Sequence, residues 1–219
     1  MSHSETKPIK IAKPKLPKQL SLVKLADSTI LDRAEYGQAM CQEEEIMDVI
    51  AEKVTFDQMV FENITFSSTS LLHAELTDVV FKNCDLSNVN FSDSVLHRVQ
   101  FTHCKIIGID LTAATMRNVS FQECAGDYAT FRFANMKNIS FQECSLIKSD
   151  FYHSEFAGIE LIGCMIDGTQ FTGAKLKGID LSQTEFYNLG VTMEDLQGCI
   201  IAPAQALLFS KIFGLVIKE

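Results

Sequence analysis

The sequence predicts an all-β fold, a β-helix of square cross-section with about seven coils, and three observations carry that prediction. First, from Phe56 to Phe186 every fifth residue is Phe, Leu, Ile or Met except Gly126: 13 Phe, 9 Leu, 2 Ile, 2 Met and 1 Gly. A period of five fits neither a helix nor a simple strand, so it reports a repeat architecture. Second, two residues before each centre runs a series of small or β-branched residues, from Val54 through Ile64 and Val79 to Ile179. Residues two apart on an extended chain point the same way, so both series face inward, and the odd count of five requires a corner before the next pair. Third, the second series has a slower beat: Cys84, Cys104, Cys124, Cys144 and Cys164 recur every 20 residues, as do Val79, Val99, Val119, Ile139, Ile159 and Ile179. Twenty is four fives, so each coil has four sides and like stacks on like. At the strand-pairing distance of about 4.8 Å, seven coils make a rod roughly 33 Å long.

The chain divides into four segments. Residues 1–24 hold three of the four Pro and six Lys against one Glu, which predicts a basic, extended tail. Such a tail reads either as a solvated terminus or as a strap on the acidic body. Residues 25–53 keep the five-beat at Tyr36, Cys41, Ile46 and Ala51, but Glu44 breaks the inward series. They are expected to cap the first coil, as a cap or an irregular coil, because a solenoid end exposes unpaired strand edges. Residues 54–190 are the repeat body, free of proline as continuous ladders require. Gly126 leaves a local hole for neighbouring coils to fill, and Tyr128 and Phe133 fall on outward corners beside it. In residues 191–219, Thr192 to Asp195 resembles a helix start, Ile200 and Ile201 a last strand, and Pro203 the first residue of a short helical cap. The apolar surplus there (Leu208, Phe209, Ile212, Phe213, Leu215 and Ile217) exceeds what an end cap needs and predicts a homodimer interface.

Charge and cysteine content narrow the function classes. The net charge is −9, and with the tail set aside the body is strongly acidic. Phosphate contacts need clustered Lys and Arg, so an acidic body argues against direct nucleic-acid binding. Seven Cys with no signal peptide and no apolar run of membrane-spanning length point to a cytoplasmic protein with reduced thiols and no membrane partner. No C-x-x-C or paired His marks a metal site, no glycine-rich phosphate loop is present, and His73, His97, His103 and His153 face outward on different sides. The reading is a non-enzyme without cofactor or metal.

The four-sided register assigns charge to faces, three acidic and one mildly basic. The candidate partner-binding residues are Glu62, Glu123, Glu143, Glu160 and Asp180 on one face, with Asp127 and Asp167 on the next. Glu123 and Glu143 stack at one corner, about 4.8 Å apart.

Cys84-Asp85-Leu86-Ser87-Asn88, Ile109-Asp110-Leu111 and Ile179-Asp180-Leu181-Ser182 resemble the motif of the pentapeptide repeat family: a small or β-branched residue, a polar residue, then Leu or Phe. The resemblance covers about two-thirds of the chain and implies a right-handed quadrilateral β-helix. Rod length, acidity and an apolar C-terminal helix followed by Gly214-Leu215-Val216-Ile217 are similar to the Qnr and MfpA-type members. Those imitate DNA, bind DNA gyrase or topoisomerase IV in its place, and affect fluoroquinolone action. The chain departs from them in its Lys-Pro tail, its unbroken beat and its basic face. The resemblance therefore implies a DNA-mimic rod that binds a type II topoisomerase, inhibiting it or modulating fluoroquinolone susceptibility. The alternative is a non-catalytic scaffold that binds another protein.

Overall fold

Corners, not strands, set the shape of this chain. Every fifth residue from Arg33 to Gly178 has a positive φ, mostly near 55°, and most of them are not glycine. Each left-handed residue turns the chain and resets the alternation, which is how a five-residue unit keeps two side chains inward on every side. The conformation costs an L-residue about 1–2 kcal/mol. Ladder hydrogen bonds between coils offset that cost. At one corner column the amides of Asn63, Asn83, His103, Glu123 and Glu143 donate to Lys82, Thr102, Gln122, Gln142 and Ile162 carbonyls at 2.8–3.0 Å.

The computed structural model describes residues 9–25, 30–216 and 218. It is a β-solenoid of about seven turns with one short C-terminal helix. The strands are β1 (Ser21–Leu22), β2 (Glu35–Gln42), β3 (Glu45–Met47), β4 (Ile50–Glu52), β5 (Thr55–Glu62), β6 (Thr65–Ser67), β7 (Ser70–Leu72), β8 (Glu75–Lys82), β9 (Val95–Thr102), β10 (Thr115–Gln122), β11 (Asn135–Gln142) and β12 (Glu155–Ile162). A parallel eight-stranded sheet in the order β1-β2-β5-β8-β9-β10-β11-β12 forms two adjacent sides of the rod. From β2 onward each residue pairs with the one 20 positions later, as in Phe121↔Phe141. The other two sides are held by the short pairs β3-β6 and β4-β7 and then by single bridges such as Lys105↔Ala125 and Asp110↔Thr130.

The interior is the two inward series. Phe61, Phe81, Phe101, Phe121 and Phe141 stack with ring centroids 4.6–5.0 Å apart and planes within 9°. That spacing is the coil rise itself. Phe131, Phe151 and Phe171 form a second stack. The hole at Gly126 is filled as expected, by Ile106 and Leu146 from the coils on either side. Cys84, Cys104, Cys144 and Cys164 donate their thiols to the carbonyls of Phe61, Phe81, Phe121 and Phe141 at 3.4–3.5 Å, and all seven cysteines are free.

Residues 35–52 form a regular coil (β2 to β4), where the sequence left a cap or an irregular one. Glu44 breaks the inward pattern because its carboxylate accepts the Leu25 amide at 2.9 Å and the Cys41 thiol. Buried Leu25 and Ile30 close this end. At the other end β12 is the edge of the sheet, and the last coil is joined by single bridges such as Met165↔Glu185 and Asp180↔Ile200. The expected helix start at Thr192 is instead a closed turn. Thr192 and Asp195 bond each other reciprocally, and Asp195 also accepts the Gly173 amide, so its carboxylate ties the turn to the coil below. Helix α1 (Pro203–Ile212) does begin at Pro203. Gln205 anchors it: its Oε1 accepts the Ala202 amide, and its Nε2 donates to the Leu181 and Thr184 carbonyls at 2.8 and 3.0 Å.

Candidate functional site

Residues 9–23 of the basic tail form a strap; residues 1–8 lie outside the described residues. Ile11, Pro14, Pro17, Leu20 and Val23 are half-buried and the residues between them are exposed, a period of three along an extended chain. The strap runs against the stacking direction, along one corner column. Ile9 donates its amide to Glu160, Ala12 to Asn118 Oδ1 at 3.3 Å, and Lys15 to Asp78 Oδ1 at 2.8 Å, while Gln58 Nε2 reaches the Lys15 carbonyl at 3.1 Å. Strand β1 then pairs with β2. Three strap residues thus span two coils. Three residues of polyproline II advance about 9.3 Å and two coils rise about 9.6 Å, so the two periods match. Asp78, 4% exposed, is the pivot: Arg98 grips it with Nε and Nη2, both at 2.5 Å. Burial opposes its ionisation, but Arg98 and the Lys15 amide outweigh burial and hold its carboxyl below the ordinary Asp range. Burial and the positive charges of Arg98 and Arg117 together lower the pKa of His97 beside it.

The strap changes the status of the acidic candidates. Glu160 lies under it and, with Asp180, Lys175, Lys177 and Ile9, lines a cleft of about 470 Å³ at the open edge of β12. Glu62 is paired with Lys82 at 2.6 Å. Glu123 and Glu143 occupy successive left-handed corners, Glu123 beside His103 at 3.3 Å and Glu143 lying over Gly163, where a Cβ would collide with its carboxylate. Asp127 accepts the Ile147 amide and the Ser145 hydroxyl, and Asp167 accepts the amides of Tyr187 and Asn188. These two carboxylates brace adjacent coils as well as carrying surface charge. The seven candidates therefore do not form one site. Glu123, Glu143, Asp127 and Asp167 bound one side of the rod, whereas Glu160 and Asp180 sit at the strap.

The C-terminal candidates also divide. Phe209 is 7% exposed and 5.5 Å from Phe186, and Leu208, Ile212 and Phe213 pack partly against the core. They close the end of the rod. Leu215 and Val216 of the apolar tail remain exposed, as do Leu207 and Met193, which were not singled out from the sequence as interface residues. Ile217 lies outside the described residues.

A further surface feature surrounds the Gly126 coil. Tyr128 and Phe133, more than half exposed, occupy neighbouring corners at φ 61° and 57°. Arg132 stacks on Phe133 and on Tyr152, while Phe133 stacks on His153 and Lys148 on Tyr128. Among the described residues, no group of three or more His, Cys, Asp and Glu could hold a metal ion. No described helix is long and apolar enough to cross a membrane.

Two family models match the chain: a "pentapeptide repeat region" over residues 94–171 and "pentapeptide repeats (8 copies)" over residues 60–98. No curated protein matches it. Among solved structures the chain is similar to QnrB1, a plasmid-mediated fluoroquinolone resistance protein, in a trypsin-treated form. Identity is 19%, coverage is 82% of this chain and 99% of that one, and the TM-score is 0.39. It is also similar to HetL, a pentapeptide repeat protein involved in heterocyst differentiation regulation in the cyanobacterium Nostoc sp. strain PCC 7120. There identity is 14%, coverage is 78% and 90%, and the TM-score is 0.38. The five-residue beat, the left-handed corners and the family matches agree: the chain belongs to the pentapeptide repeat family.

Proposed function

We propose that this rod is a cytoplasmic DNA mimic that binds a type II topoisomerase, DNA gyrase or topoisomerase IV, through its acidic side. The observation that carries the reading is the flank bounded by Glu123 and Glu143 at one corner and by Asp127 and Asp167 near the next. Glu123 and Glu143 are one coil apart, about 4.8 Å, and Asp127 and Asp167 two coils, about 9.6 Å, so the flank presents two short rows of negative charge on a rigid rod. A protein groove built for phosphate presents Lys and Arg that such rows attract. Binding then competes with DNA and weakens steeply as salt rises. Glu123→Lys with Glu143→Lys should abolish inhibition of gyrase supercoiling while circular dichroism stays unchanged. Arg117→Glu with Lys137→Glu should preserve it. Inhibition by the Glu123/Glu143 double variant equal to that of the parent rejects the mimic.

The function needs two copies in this reading, joined through exposed Leu207, Leu215, Val216 and Met193 around the apolar C-terminal hollow. Sedimentation of the full chain against a Leu207→Glu/Leu215→Glu variant tests this. A variant that stays dimeric moves the interface elsewhere.

A second reading is supported by Tyr128 and Phe133. Their left-handed corners are common to the whole rod, but two large exposed rings on neighbouring corners make an apolar patch of the kind a partner covers. On that reading the rod is a scaffold that docks a protein on its aromatic side, with affinity nearly insensitive to salt.

A further inference from the structure

The docked strap assembles a surface that neither of its parts has alone. Lys10 and Lys13 flank Ala12, whose amide is bonded to Asn118. Arg117 is the neighbour of Asn118, and Lys137 pairs with Arg117 one coil on. All four are exposed. Among the described residues none of the four is in an ion pair. Lys15 and Lys18 continue the line toward the first coils, also exposed and without an ion pair among the described residues. The acids nearest the strap are engaged: Asp78 by Arg98 and the Lys15 amide, Glu160 by the Ile9 amide. Glu35, Asp57, Glu75 and Glu155 lie toward the two ends of this side and leave the middle around Asn118 positive.

We propose that this ridge is a binding site for the backbone of duplex nucleic acid, without base specificity. Six cations over five coil rises, about 24 Å, give one charge per roughly 4 Å, a line dense enough to meet the phosphates that a duplex turns toward it. The strap is pinned by hydrogen bonds from its own backbone, so its lysines are held in line before binding. The acidic corner of Glu123 and Glu143 is the next one round the coil from Asn118, one side of the rod away. With sides of about 10 Å, that separation exceeds the Debye length of about 8 Å at physiological salt, so screening blunts its repulsion. A linear polyanion fits a convex line of charge better than a flat bilayer does. The body's acidity argued against nucleic acid, but that argument did not include a tail folded onto Arg117 and Lys137. The ridge and the topoisomerase reading use different surfaces and stand or fall separately.

The experiment is fluorescence anisotropy of a labelled 20-base-pair duplex with the full chain at about 50 mM salt and rising. Binding is expected with a log–log salt slope of about −4 to −5, the value for five or so phosphate contacts. Lys10→Glu/Lys13→Glu/Arg117→Glu/Lys137→Glu should weaken it at least about tenfold with an unchanged circular dichroism spectrum, whereas Glu123→Lys/Glu143→Lys should keep or strengthen it. No binding at low salt overturns the proposal. So does equal affinity of the quadruple variant. Sedimentation with phosphatidylserine vesicles in the absence of any duplex binding replaces nucleic acid by a membrane surface.

Discussion

The backbone amide of Lys15 donates to Asp78 Oδ1 at 2.8 Å, joining residues 63 positions apart, while Arg98 holds both oxygens of the same carboxylate. This one buried acid couples the tail to the rod. Asp78→Ala removes a charged acceptor, a loss of about 1.5–3 kcal/mol for such hydrogen bonds. Trypsin should then cut after Lys10, Lys15 and Lys18 at least tenfold faster, with the body intact. Unchanged cleavage would mean the strap is held by its apolar residues instead.

The same pair predicts a pH dependence. Because the Asp78 carboxyl is held below its ordinary value, its contribution to docking is complete above about pH 4, the unfolded value for Asp. It fades as pH falls through the lower folded value. Exchange protection of the Lys15 amide, followed by NMR, should persist at pH 5 and disappear only in stronger acid. Loss of protection near pH 6 would point to a histidine instead.

Phe121 lies between Phe101 and Phe141, with centroids 4.7 and 4.6 Å away, and is fully buried. Phe121→Ala should cost about 3–5 kcal/mol, because rings clamped above and below cannot collapse into the space. Denaturant unfolding measures it, and an unchanged midpoint would contradict the register.

Gly126 is an occupied position despite its missing side chain. A Cβ there would sit 3.1 Å from the tips of Ile106 and Leu146, which can yield slightly. Gly126→Ala should be nearly neutral. Restoring the five-residue pattern with Gly126→Leu should destabilise by about 1–3 kcal/mol through overpacking. A stabilised Leu variant would show that the hole is real.

Gln205 satisfies two carbonyls of the last coil and the amide of Ala202, the residue that caps its helix, while buried. Gln205→Ala leaves these groups without a partner, at roughly 1–3 kcal/mol for a buried polar group. Hydrogen exchange should show α1 and the turn at Thr192 opening before the rod does. Simultaneous loss of both rod and helix would make the cap part of the same cooperative unit.

Counting along the sequence is enough to place the rod. Each coil repeats the same inward pair, so one coil's pattern constrains every other, and Phe121 could be placed against Phe101 and Phe141 by counting. Residues that break the repeat were legible only as breaks: Glu44 stood out, but its acceptance of the Leu25 amide depends on a chain end folding over it. The Thr192 turn followed the local signature of a helix start, yet the Gly173 amide below drew Asp195 into a closed turn. Tertiary structure alone decided what the surface is. Which carboxylates remain available, and where cations gather, depends on contacts between residues 9–15 and a corner 43 to 151 positions away. Those contacts are made by backbone amides of the strap, which carry no sequence signal, with side chains whose outward positions look alike in the repeat. Internal order is periodic and could be counted, whereas the docking of the strap is a single long-range event that no period records.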